Sequence, residues 1–127
     1  MEEFYTSKSI EQIRDEKLGE SYLYGEGRKY ILLNGVRIWK TPAERDNYLM
    51  TVQSAKRLGV QSIPFMGAEL PVDKAQMVID AANVYGLQVT AIMEAHEAAI
   101  KALENEEEIT AYDHTTGYPE IISYPEL

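Results

Sequence analysis

The sequence predicts an α+β fold: a small helical domain with about three main helices, an N-terminal short helix, and one or two short antiparallel hairpins. Three observations predict it. Asn34-Gly35 sits between two β-rich runs in "RKYILLNGVRIWK", and both residues accept the positive φ that a type I′ hairpin turn demands. "TPAERDNYLMTVQSAKRLG" opens on Thr41-Pro42 and closes on Gly59, the start and stop signals of a helix. Two later stretches space their apolar residues at three and four, as a half-buried helix does.

The elements follow in order. A short helix starts near Ser7 or Ser9, with Ser9 and Gln12 placed for a capping box and Gly19 suited to its left-handed end. Its apolar positions, Ile10, Ile13 and Leu18, make a thin stripe that needs something to lie against. Gly25 and Gly27 in "YGEGRKY" are expected in a flexible loop; the strand, helix and lysine spacing of a phosphate loop are missing. The Asn34-Gly35 hairpin comes next. Trp39, the single tryptophan, stands at its end, as a core or edge-capping aromatic or, in the sharper reading, as an anchor on a partner surface.

In the capped helix, Thr41 and Glu44 form a second capping box, and Tyr48, Leu49, Val52, Ala55 and Leu58 share the inner face. Arg45, Lys56 and Arg57 are expected in solvent. "VQSIPFMGAELPVD" reads as two short extended pieces around Met66-Gly67, with Pro64 marking an edge strand. Asp73 is expected to cap a further helix ending before Gly86, with Met77, Val78, Ala81, Ala82 and Tyr85 inward. A last helix is expected from about Thr90 to Asn105, carrying Ile92, His96, Ala99, Ile100 and Leu103, with Glu97 and Lys101 paired outside. Glu106-Glu107-Glu108 is expected to end the regular pattern, and "ITAYDHTTGYP" to return as irregular or extended chain turning at Gly117.

These elements divide into three segments: residues 1–40 as short helix plus hairpin packed on the main domain, 41–112 as helical core, and 113–127 as an extended strap. The strap repeats itself, Tyr118-Pro119-Glu120 being echoed by Tyr124-Pro125-Glu126. Each proline fixes its own φ and holds the preceding tyrosine extended. Ile121, Ile122 and Leu127 add apolar pegs. Such a segment is expected to dock, on its own domain or on a neighbouring chain by strand addition or groove filling. Trp39, Tyr118, Pro119, Ile121, Ile122, Tyr124, Pro125 and Leu127 are therefore the candidate partner contacts.

Composition narrows function. The chain of 127 residues is the size of one domain. Its charge of −9, from 21 acidic and 12 basic residues, works against binding the phosphates of nucleic acid. With no cysteine, disulfides, thiolate metal sites and thiol catalysis are excluded. The acidic opening MEEFYTSKSI lacks the apolar stretch of a signal peptide, and no apolar run approaches the roughly 18 residues of a membrane span. A soluble protein is expected, with no membrane partner.

No catalytic, metal or cofactor pattern stands out. His96 lies on an apolar stripe and is expected to be structural. Asp113 is expected to make an Asx-type turn beside His114 rather than a catalytic pair. Glu104 and Glu106–Glu108 lack the interleaved ligands and glycine of a calcium loop. Met66 and Met77 read as core fillers. An enzyme is not expected, and no cofactor is.

From about Arg45 on, the chain resembles a small uncharacterised domain that recurs in tail-fibre and other virion-associated proteins of tailed phages. The residues that carry the likeness are Ile63, Phe65, Gly67, Leu70 and Asp73, a hairpin of the form I-x-F-x-G-x-x-L-x-x-D leading into a helix, and a later helix around His96–Leu103. The resemblance spans roughly residues 45–120. It implies a structural or adaptor role in a tail, fibre or head appendage, with other virion proteins and copies of itself as partners. The implied location is the virion, or the host cytoplasm before assembly. It offers no catalytic residue. The alternative expectation is a small acidic regulator or inhibitor of a nucleic-acid-binding host protein, presenting carboxylates where phosphates would sit.

Overall fold

The computed structural model describes residues 8–125. Its elements run α1 (Ile10–Gly27), β1 (Ile31–Leu33), β2 (Val36–Ile38), α2 (Pro42–Leu58), β3 (Ser62–Phe65), β4 (Ala68–Pro71), α3 (Val72–Ala102), α4 (Glu106–Ala111) and β5 (Ser123–Tyr124). The fold is α+β, as expected. Its contacts cluster into two units. One, here the acidic unit, takes the described residues up to Arg28 with Gln88–Pro119; the other, the hairpin unit, takes Lys29–Leu87 with the described residues from Glu120 on. The chain passes between them at 28/29, 87/88 and 119/120.

The hairpin unit follows its local signals closely. Asn34 and Gly35 have φ of 52° and 79°, and this turn pairs Leu33 with Val36 and Ile31 with Ile38. A second two-residue turn, Met66-Gly67, also takes positive φ at both positions and pairs Phe65 with Ala68 and Ile63 with Leu70. Pro64 faces outward on β3, in a sheet of only two strands, so its missing N–H costs no ladder bond. Thr41 and Glu44 close the capping box of α2, and Gly59 ends it at φ 72°. The core joins Ile31, Leu33, Val52, Ile63, Phe65, Leu70, Val78 and Ile79 from hairpins and helices alike.

Several expectations are corrected. Leu58 and Met77 were placed inward, but both are exposed; Ala75, Val78, Ile79, Ala82 and Tyr85 form the buried face of α3 within the hairpin unit. Asp73 lies within the first turn of α3, not at its cap, and its carboxylate pairs with Lys56 at 3.5 Å. The two helices expected on either side of Gly86 are one helix of 31 residues. Gly86 is not a stop signal. A Cβ there would lie 2.9 Å from Cη2 of Trp39, so the missing side chain makes room for the indole while the backbone stays helical.

The acidic unit departs further from its local signals. Helix α1 has the expected Ser9–Gln12 capping box but runs through Gly19 to Gly27. Gly25 and Gly27, expected in a loop, belong to its last turns. Packing overrides the helix cost of glycine, about 1 kcal/mol each: Gly25 is buried where a Cβ would meet Met93 and the Tyr118 hydroxyl. The run Glu106–Glu108, expected to end regular structure, forms the first turn of α4. Asn105 caps it, accepting from the Glu107 and Glu108 N–H groups, and carboxylates favour this positive end of the helix dipole. Ile109 is fully buried, so "ITA" is helix rather than extended return.

Candidate functional site

The candidate contacts fall in three places. Trp39 follows β2 in the hairpin unit. Its indole meets the Tyr85 ring edge-on, with centroids 6.4 Å apart, and the Arg45 guanidinium lies 4.7 Å above it. Arg45 was expected in solvent; instead its Nε donates to Asn83 Oδ1 at 2.7 Å and its Nη1 to the Lys40 carbonyl at 2.5 Å. The helix positions of Arg45 and Asn83 thus hold a cation over an aromatic face, which adds attraction beyond burial. Beneath lies a small apolar cleft lined by Ile31, Ile38, Met66, Val78 and Ala82. Trp39 itself is half-buried against the core.

The second place is the seat of the later Tyr-Pro-Glu motif. Strand β5 lies parallel to β1, with Leu32 opposite Ser123 and Leu33 opposite Tyr124. The Leu32 N–H donates to the Ile122 carbonyl at 2.9 Å, and the Asn34 N–H to the Tyr124 carbonyl at 2.8 Å. Ile122 and Tyr124 pack on the core of the hairpin unit; Ile121 is half-buried and Pro125 exposed. Leu127 lies outside the described residues. The strap is a docked strand, seated on its own chain.

The third place is the seat of Tyr118, inside the acidic unit. Its ring lies 5.5 Å from that of Tyr24 on α1 and 5.7 Å from that of His96 on α3, with the Arg28 guanidinium 5.9 Å from its centroid. Arg28 Nη2 donates to the Pro119 carbonyl at 2.6 Å. The Tyr118 hydroxyl is buried and finds no hydrogen-bond partner among the described residues. Burial first, and then the neighbouring Tyr24 phenol, hold that hydroxyl above its ordinary pKa, against the opposite pull of Arg28.

His96 is the hub of this cluster, and is buried. Its Nε2 lies 2.8 Å from the Thr116 carbonyl. A carbonyl only accepts, so Nε2 carries the proton. On the other side Nδ1 lies 2.6 Å from the Tyr112 hydroxyl, which donates to it when the ring is neutral. Asp113 turns away: its Oδ1 accepts from the Thr115 N–H at 2.9 Å and from the Thr115 hydroxyl at 2.5 Å. These bonds hold its carboxyl below the usual aspartate value. The structure therefore unites His96 with Tyr112, but uses both imidazole nitrogens to fix the 112–118 segment. A substrate would have to displace Tyr112 or Thr116 to reach either nitrogen.

Sequence reasoning named Tyr118 without its partners. Tyr24, Arg28 and Tyr112 come from positions 16 to more than 90 residues away from what they touch, and no periodicity marks them. Among the described residues no group of three His, Asp or Glu side chains converges to hold a metal ion, and no helix is long and apolar enough to cross a membrane. Compared with known proteins, the chain matches no family model, no curated protein and no solved structure.

Proposed function

We propose that the protein is a structural or adaptor component of a phage particle, in a tail, fibre or head appendage, and works through contacts with other virion proteins and with copies of itself. The observation that carries this reading is the strap. Its two tyrosines are each seated by a different unit, Tyr118 among Tyr24, His96 and Arg28 and Tyr124 on β1. A segment that is ordered before any partner arrives loses less entropy on binding than a loose one. The hairpin β3–β4 leading straight into α3 supports the same reading, because the resemblance implies that arrangement. Mass spectrometry of purified particles tests it. The chain is expected among their proteins at a fixed ratio to known components; its presence only in infected-cell lysate would contradict the proposal.

One observation favours a second reading, an acidic regulator of a basic, nucleic-acid-binding host protein. Among the described residues the acidic unit holds 12 acidic and five basic side chains, a net −7, while the hairpin unit holds six and seven, a net +1. Several of its cations are already occupied: Arg14 donates to the Leu103 carbonyl, Lys17 to those of Thr110 and Tyr112, and Lys101 to Glu97. Carboxylates concentrated in this way raise a local negative potential. This reading predicts a complex with a DNA-binding protein that weakens as salt rises, and binding indifferent to salt rejects it.

A further inference from the structure

We infer that Asn34 is a site of self-driven covalent modification: attack by the Gly35 main-chain nitrogen strips its side-chain amide, and the product loosens the seat of the strap on β1. The inference goes beyond the contact role proposed above and stands apart from any partner. In the first step the Gly35 nitrogen bonds to Asn34 Cγ and gives up its proton, and the side-chain nitrogen leaves as ammonia. The resulting cyclic imide takes up water and opens to aspartate or isoaspartate. Water is the sole co-reactant, and nothing is oxidised or reduced. A carboxylate replaces the amide, adding a negative charge to a net charge of −9.

The structure selects this asparagine among four. Asn34 alone is followed by glycine, which leaves the attacking nitrogen uncrowded. Both residues are exposed, and nothing lies within 4 Å of the position a Gly35 Cβ would take. The pairing of Leu33 with Val36 leaves the Gly35 N–H outside the ladder. Asn47 and Asn83 sit inside α2 and α3, where the next N–H is bonded along the helix. Asn105 caps α4, its Oδ1 accepting from the Glu107 and Glu108 N–H groups. Ring closure swings the peptide after Asn34 out of its turn geometry, so the hairpin must open first. Its strands have three residues each, and elements that short open at a small fraction of global stability. The strap opposes that opening, because the Asn34 N–H donates to the Tyr124 carbonyl at 2.8 Å. The coupling is reciprocal: the docked strap slows the modification, and the modification undocks the strap. Isoaspartate carries the main chain through Cβ and lengthens the turn by one atom. A two-residue I′ turn has no slack for it, so the Leu32 and Asn34 donors shift out of register with the Ile122 and Tyr124 carbonyls.

Peptide mapping of the full-length chain, aged in warm and mildly alkaline buffer, tests it. The tryptic peptide 30–37 carries Asn34 as its single side-chain amide. Conversion to the acid is expected in that peptide and not at Asn47, Asn83 or Asn105. It is expected to vanish in Asn34→Gly, which keeps a residue free to take positive φ. Tyr124→Ala, checked for folding by circular dichroism, should speed it several-fold. Anion exchange then separates converted from unconverted parent chains, a comparison that needs no variant. By hydrogen exchange the isoaspartate form should lose protection at the Leu32 and Asn34 amides while Val52 and Val78 keep theirs. Conversion only in urea, or at all four asparagines alike, overturns the inference. So does a folded Tyr124→Ala chain that ages at the parent's rate, or an isoaspartate form whose Leu32 amide stays as protected as before.

Discussion

The two units are made of different materials. The hairpin unit is held by hydrocarbon: twelve buried apolar residues, from Ile31 to Ala82, form one cluster, and Arg37, Lys56, Arg57 and Lys74 are exposed. The acidic unit buries fewer aliphatic side chains, chiefly Val89, Ile100 and Ile109. It is tied instead by Arg14, Lys17, Arg28 and His96, all of which bond main-chain carbonyls between Leu103 and Pro119. Hydrocarbon burial is tolerant of detail and scales with area. A side chain bonded to a buried carbonyl is not, because removing it leaves the acceptor unpaired. The same chain thus contains one unit that should respond to volume and another that should respond to single polar atoms.

The largest effect is expected in the hairpin unit. Phe65 is buried against Tyr48, with ring centroids 5.0 Å apart, and Phe65→Ala should cost about 3–5 kcal/mol in urea unfolding. A smaller loss is expected from His96→Phe, which keeps a ring but leaves the Thr116 carbonyl and Tyr112 hydroxyl unpaired: about 1–3 kcal/mol, by the same measurement. If the phenylalanine variant proves as stable as the parent, the acidic unit is held by packing after all.

Glycines sharpen the comparison. Gly25→Ala puts a Cβ 2.2 Å from Met93 Cγ and 2.9 Å from the Tyr118 hydroxyl and should cost about 1–3 kcal/mol. Gly19 in the same helix meets nothing within 4 Å, and Gly19→Ala should raise stability by about 0.5–1 kcal/mol. Thermal unfolding of the pair should move in opposite directions. Tyr118→Phe removes a hydroxyl that makes no hydrogen bond among the described residues, so its stability should equal or slightly exceed the parent's; a loss above about 1 kcal/mol would mean that the hydroxyl has a bridged partner.

The smallest effect concerns pH. The Asp113 carboxyl is held below its ordinary value of 3.8 by Thr115. Its contribution is therefore present above that value and lost as pH falls through the lower, folded one. Parent and Asp113→Asn should differ in stability near neutrality and converge in strong acid, which an acid titration followed by circular dichroism reads.

The difference in materials also decides what the sequence discloses. Turn and cap chemistry is local, so Asn34-Gly35, Thr41 with Glu44, Gly59 and the outward Pro64 were legible, and with them the α+β class. Gly86 misled because its role is distant: it admits Trp39 from another element, and no neighbour in the sequence says so. Gly25 misled in the same way, because it admits Met93 and the Tyr118 hydroxyl; Gly19 lies in the same helix with nothing within 4 Å of the Cβ it lacks, and its helix cost alone suggested a stop. The bonds from Arg14, Lys17 and Arg28 reach main-chain carbonyls, a group that every residue has, 89 to 95 residues away, and so leave no compositional trace. The strap was legible as a docked segment because proline and tyrosine act on their own neighbours; its two seats were not.

Residue-by-residue hydrogen exchange on the full-length chain tests the contrast most directly. The amides around Val52, Val78 and Ile79 should open only with global unfolding, those of 109–118 at a lower free energy that falls further in His96→Phe, with the first group unchanged. Equal protection across both groups, lowered together by that substitution, would contradict the account.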